Sequence, residues 1–143
     1  MNYLSTRYFI SVLSLEKVPF DSTGMFHWCP DQKMDDCIIT RSDPRLEELV
    51  GHILVIVNAE VNSALLGLRS FIMPLRASNF HYHELKEIVF LGERAYLERE
   101  WEAICNFPKL KIMCGSALKR ADLQNAQRND KWLVDSYPET AYF

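Results

Sequence analysis

Apolar and polar residues alternate along this chain in blocks that predict strands and helices in turn. The run from Ile53 to Val57 is uninterrupted by polar residues, which predicts a strand over 52–58 that is buried on both faces. A helix is predicted next, over 61–73, with one apolar stripe at three- and four-residue spacing: Val61, Ala64, Leu65, Leu68, Ile72 and Leu75. Pro74 lacks an amide hydrogen and is expected to end or kink this helix.

Two further strands are predicted, with a helix between them. The short apolar run Ile88–Gly92 predicts a strand, and so does Leu110–Cys114, which is apolar except for Lys111. The helix predicted between them, 93–106, has Leu97, Trp101 and Ile104 on its buried face. A weaker helix is predicted over 117–127. Because β-α-β crossovers are right-handed, the three strands should be parallel, as in a Rossmann-like α/β fold.

The segment before the first strand predicts short elements only. Residues 25–29 and 37–40 are strand-like, and Asp43 followed by Pro44 predicts the start of a short helix that Gly51 closes. The tail after residue 127 shows no clear period, so no fourth strand is predicted. The fold class is therefore an incomplete three-stranded parallel sheet with flanking helices, in which strand 52–58 keeps an open apolar edge.

The turn after the first strand lacks the chemistry of a dinucleotide site. Residues 58–62 contain no glycine to cradle a phosphate, and Glu60 would repel an anion at the helix N-terminus. No cofactor is therefore predicted. On the second helix, Glu98, Glu100 and Glu102 beside Arg94 and Arg99 resemble a solvated face with local ion pairs, and an acid/base pair is the less favoured interpretation.

Composition and charge narrow the function classes further. The 143 residues suit one globular domain. The formal charge of −3 gives no reason to expect that the protein binds nucleic acid. The apolar stretch Tyr8–Leu15 is too short to span a membrane, and a signal peptide is disfavoured because no small-residue cleavage site follows, so no membrane insertion is predicted. The four scattered cysteines are interpreted as reduced thiols of a cytoplasmic protein.

Three other sets of residues are candidates for metal binding, redox sensing or binding of an acidic partner. His81 and His83 form an H-x-H pair that could bind zinc with His27 and Cys29, although the spacing is unlike the usual paired zinc motifs and a solvated or packed polar loop is favoured. Cys29 and Cys37 are alternatively redox sensors or ordinary buried thiols, and the latter is favoured. A basic set at the helix end either meets an acidic partner across an interface or is solvated: Arg69, Arg76 and Lys86. We predict no catalytic, cofactor-binding or metal-binding residue.

Two stretches resemble a known family. The segment LRSFIMPLRASNFHYHELKEIVFLGERAYLEREWEAICNFPKLKIMCGSALKRADL at 68–123, and DSTGMFHWC at 21–29, resemble the second regulator-of-conductance (RCK) domain of slowpoke-type, large-conductance calcium- and voltage-activated (BK) potassium channel α subunits. The resemblance implies a plasma-membrane parent, a homotetramer whose cytosolic RCK domains form a gating ring, and other channel subunits as partners. It divides the chain into a leader of unclear origin (1–20), a linker (21–51), a partial RCK domain (52–127) and a divergent tail (128–143).

Departures from the family limit what the resemblance implies. The pore and voltage-sensor helices, the first RCK domain and the acidic calcium bowl of the family have no counterpart in this sequence. We therefore predict a non-enzymatic gating-ring fragment that neither conducts potassium nor senses calcium through the bowl. The alternatives are a small soluble nucleotide-binding regulator of Rossmann type and a non-functional truncated product.

Overall fold

The structure is a computed structural model, which describes residues 19–40, 42–115 and 139–143. The helix predicted over 117–127 and the apolar stretch Tyr8–Leu15 lie outside the described residues.

One parallel sheet organises the described part of the chain. Its strands are β1 (Ile53–Ile56), β2 (Ile88–Gly92), β3 (Leu110–Cys114) and β4 (Glu139–Tyr142), in the order β3-β2-β1-β4. The three predicted strands and their parallel pairing are confirmed, with Ile53 opposite Ile88 and Ile88 opposite Leu110. Every residue of β1 and β2 is buried, which is why both strands have continuous apolar sequences.

The prediction that β1 keeps an open edge is wrong. β4 pairs with β1 in parallel register from Ile53 opposite Glu139 to Ile56 opposite Tyr142. Two backbone hydrogen bonds extend this pairing: Phe143 N donates to the Ile56 carbonyl, and Asn58 N donates to the Phe143 carbonyl. The sequence did not reveal β4 because an edge strand needs no apolar run, and the residues Glu-Thr-Ala-Tyr carry no clear pattern.

The helices are α1 (Met34–Cys37), α2 (Leu68–Leu75) and α3 (Arg94–Ile104), with 3-10 turns at Pro44–Glu48 and Tyr82–Glu84. α1 was not predicted, and of the strand-like segment predicted at 37–40 only Ile38 forms a bridge, with Ile112. α2 and α3 are shorter than their patterns predict. The helix predicted over 61–73 begins only at Leu68, because Gly67 adopts a left-handed conformation with φ of 75°. Val61 and Leu65, predicted as part of a buried stripe, are 40% and 55% exposed. Pro74 lies in the last turn of α2, where it ends the helix as predicted.

Each face of the sheet has its own core. α2 and α3 cover one face, where Val55, Ile72 and Phe90 are fully buried. The segment before β1 covers the other face with Ile39, Leu46 and Leu49. Asp43 caps the 3-10 turn by accepting from Arg45 N, as predicted.

The strand predicted at residues 25–29 makes only isolated bridges, in which Phe26 pairs with Ala77 and His27 with Phe20. The division of the chain into leader, linker, domain and tail stays a prediction.

A separate observation concerns membranes. Within the described residues, no helix has both the length and the apolar character that a bilayer crossing requires.

Candidate functional site

The N-terminus of α2 is where a Rossmann-type fold would bind a ligand phosphate, because the first amides of that helix have no intrahelical partner. In this chain they bind a side chain instead. The Oε1 atom of Glu100, on α3, accepts hydrogen bonds from Leu66 N at 2.8 Å and Gly67 N at 3.2 Å. Its Oε2 atom accepts from Leu68 N at 3.3 Å. Glu100 is only 3% exposed, so this contact is part of the protein interior.

Two neighbours of Glu100 on α3 hold the same loop. The Tyr96 hydroxyl donates to Glu100 Oε1 at 2.7 Å and accepts from Leu66 N at 2.8 Å. Burial raises the pKa of Tyr96, and its hydrogen bond to Glu100 raises that pKa further. Arg99 Nη1 donates to the carbonyls of Val61 at 2.6 Å and Ser63 at 2.7 Å. Residues 61–67 are therefore fixed to α3 along their length.

This arrangement puts an internal carboxylate where a ligand phosphate would otherwise lie. The carboxylate satisfies the free amides of α2 and interacts with the positive end of the helix dipole. A ligand phosphate would have to displace Glu100 and leave that charge buried without a partner. The residue that disfavours an anion here is Glu100 and not Glu60, which is exposed and lies in the loop well before α2 begins.

The predicted solvated face of α3 is correct for two of its three glutamates. Glu98 is exposed and pairs with Arg94, Nε to Oε1, at 3.0 Å, and Glu102 is also exposed. Glu100 departs from the prediction because it lies one helical turn after Tyr96, on the face that packs against α2. Nothing in the sequence distinguished Glu100 from its neighbours, because Tyr96 was not among the residues predicted on the buried face and the amides that Glu100 binds lie 32 to 34 residues earlier.

The histidines and Cys29 do not form one site. His27 is 1% exposed, and its Nε2 donates to the Phe80 carbonyl at 2.7 Å. His81 and His83 stack with ring centroids 5.5 Å apart, and both are exposed. Among residues 19–40, 42–115 and 139–143, no three His, Cys, Asp or Glu side chains converge as metal ligands. The interpretation of H-x-H as a polar loop remains a prediction.

The two candidate redox cysteines lie on either side of Gln32. Gln32 Nε2 donates to Cys29 Sγ at 3.0 Å, and Cys37 Sγ donates to Gln32 Oε1 at 3.6 Å. Burial raises the pKa of both thiols, which lowers the thiolate fraction at neutral pH and disfavours reactivity. All four cysteines are free thiols.

The predicted basic set divides into different environments. Arg69 is exposed, and its guanidinium carbon lies 6.0 Å from the Trp28 ring centroid. Arg76 is fully buried, so the prediction that it lies on the surface or meets an acidic partner is wrong. Its guanidinium group donates at 2.8–3.1 Å to four carbonyl oxygens, those of Leu75, Lys86, Pro108 and Lys109. No sequence signal distinguished Arg76 from a solvated arginine, because its partners are backbone carbonyls, and three of the four lie 10 to 33 residues later in the chain.

Comparisons with known proteins agree with this geometry. The family model of the calcium-activated potassium channel slowpoke-like RCK domain matches residues 48–131. The calcium-activated potassium channel slo-1 of Caenorhabditis elegans is 49% identical over 114 residues, which are 80% of this chain and 10% of that protein. The structure of the human SLO3 gating ring is 44% identical, with a TM-score of 0.70, and the match covers 76% of this chain and 19% of that one.

The chain thus spans about a tenth of the length of the worm channel that it matches. The family match includes β1, α2, β2, α3 and β3, which together form most of the described fold. The chain belongs to the family of calcium-activated potassium channel slowpoke-like RCK domains.

Proposed function

We propose that this chain is a segment of the cytosolic gating ring of a calcium-activated potassium channel, the first half of its second RCK domain. The observation that carries the proposal is the likeness to the human SLO3 gating ring at 44% identity and a TM-score of 0.70. In this proposal residues 52–127 are the RCK part and residues 21–51 lead into it. The parent protein lies in the plasma membrane and transports potassium ions.

The N-terminus of α2, where a nucleotide phosphate would bind in a Rossmann-type enzyme, is occupied by Glu100, which supports a non-enzymatic role. Glu100 supplies from within the chain the negative charge that a nucleotide would bring to α2. The sheet and helices therefore serve as a scaffold for packing against other channel subunits, four of which form the ring. No observation on the described residues favours the rival role of a nucleotide-binding regulator. If the chain had that role, NAD, ATP or AMP would raise the unfolding temperature of the purified chain.

Co-expression with the full-length worm channel slo-1 tests the proposal. We expect the tagged chain to co-purify with the channel and to change its calcium-activated potassium current, because an RCK segment competes for the contacts of the ring. The matched control is Leu54→Asp, which puts a charge at a fully buried position of β1 and prevents folding. Absence of co-purification together with unchanged currents, at equal expression of the chain, would refute the proposed role.

A further inference from the structure

A cavity of about 150 Å³ lies at the amino end of β1, between the end of α2 and the 3-10 turn Tyr82–Glu84. Its walls are mainly apolar and are formed by Ile53, Leu75, Phe80 and Leu85. Phe80 is 43% exposed, whereas Ile53 and Leu85 are buried, so the walls of the cavity reach from the protein interior to the surface. A cavity of this volume with walls of leucine, isoleucine and phenylalanine has room for one benzene-sized group.

The charged residues of the lining are engaged with other parts of the protein. Arg76 has no exposed surface, and its guanidinium group donates four hydrogen bonds to backbone carbonyl oxygens. The Oε2 atom of Glu84 accepts from His81 N at 2.8 Å. Lys86, the third charged residue of the lining, also has an interaction partner. What the cavity offers to a ligand is therefore its apolar surface.

The outer wall of the cavity is fixed by hydrogen bonds. Lys109 Nζ donates to the carbonyl oxygens of Tyr82 and Leu85, both at 3.0 Å. Arg76 Nη2 donates to the Lys86 carbonyl at 2.9 Å. These bonds hold residues 82–86 beside the sheet, so the cavity is already formed without a ligand, as is usual for small-molecule sites.

The lining favours an uncharged apolar occupant over water or an ion. A buried water needs about two to four polar partners, which apolar walls do not supply. A charged group would lose its hydration without gaining a hydrogen-bond partner. An apolar molecule loses no hydrogen bond on entry, removes its own apolar surface from water, and provides the van der Waals contacts that an empty space lacks.

We infer that this cavity binds a small uncharged apolar molecule about the size of one aromatic ring. The ring packs against Ile53, Leu75 and Leu85, and it enters beside the exposed Phe80. This binding site is separate from the N-terminus of α2, because it lies at the opposite end of that helix.

Two-dimensional NMR spectra of the isotope-labelled full chain test this site, with benzene as the probe. We expect benzene to shift the amide signals of Leu75, Phe80 and Leu85, with a dissociation constant of about 1 mM. The amide signals of Glu98 and Glu102, on α3, should stay unchanged. Benzoate has the same ring and should bind at least about tenfold more weakly, because its carboxylate would lose water without gaining a partner.

A variant with a matched control locates the binding independently. Leu75→Trp fills the cavity and should weaken benzene binding about tenfold, whereas Leu65→Trp, at an exposed residue outside the lining, should change it less than about twofold. If Leu75→Trp does not fold, the amide shifts of the unmodified chain decide the question. Absence of shifts in benzene-saturated buffer, shifts confined to other surfaces, equal binding of benzoate, or undiminished binding in folded Leu75→Trp would each overturn the proposal.

Discussion

Replacing Glu100 by alanine removes one carboxylate that accepts hydrogen bonds from three backbone amides and the Tyr96 hydroxyl. A hydrogen bond to a charged group contributes about 1.5–3 kcal/mol, but the loop residues Leu66 and Gly67 are exposed enough for water to replace part of the loss. Leu68 N is in the interior and would stay unsatisfied. We therefore expect Glu100→Ala to lower the free energy of unfolding by about 3 kcal/mol.

Urea unfolding followed by circular dichroism measures this change. Glu100→Gln keeps an acceptor oxygen but loses the charge at the N-terminus of α2, so we expect a smaller loss of about 1–2 kcal/mol. The matched control is Glu98→Ala, on the same helix, whose carboxylate is 53% exposed in its pair with Arg94 and should contribute less than about 1 kcal/mol. If the Glu100→Ala and Glu98→Ala losses are equal, the carboxylate does not hold the loop as described.

Three more predictions concern the scaffold. Arg76→Ala should lower the free energy of unfolding by about 3–5 kcal/mol, because four buried carbonyls lose a charged donor. The control Arg69→Ala should lower it by less than about 1 kcal/mol. Equal losses would show that the Arg76 hydrogen bonds do not stabilise the fold as described. Gly92→Ala puts a Cβ 3.1 Å from the Cβ and carbonyl oxygen of Val57, just after β1, and should lower the free energy of unfolding by about 1–3 kcal/mol. An unchanged midpoint of thermal unfolding would refute this close packing. Deleting residues 139–143 should abolish the hydrogen-exchange protection of the Asn58 amide, which donates to Phe143. Persistent protection would mean that β4 does not cover β1.

The central sheet was predictable because its signal is local. β1 and β2 are buried on both faces and therefore have continuous apolar sequences. β3 is apolar except for Lys111, and all three strands were predicted within a few residues of their observed ends. The capped turn at Asp43 and Pro44 was likewise predicted from short-range chemistry. The edge strand β4 was missed because an edge needs neither an apolar run nor alternation.

The contacts that define the candidate site were less accessible from sequence. Glu100 binds amides more than thirty residues earlier in the chain, and Arg76 binds carbonyls up to 33 residues later. Such long-range contacts leave no periodic pattern, so both residues were interpreted as solvated charges. The start of α2 was misplaced for the same reason, because residues 61–67 have an apolar spacing that suits a helix while α3 holds them as a loop.

A chimeric channel tests the central claim most directly. In full-length slo-1 of Caenorhabditis elegans, the matched 114-residue segment is replaced by the corresponding residues of this chain, and currents are recorded from membrane patches over a range of calcium concentrations. Our account predicts calcium-activated potassium currents that persist in nucleotide-free solution, because Glu100 already provides the charge at α2. A chimera that reaches the membrane yet gives no calcium-activated current, or needs added nucleotide to do so, would contradict it.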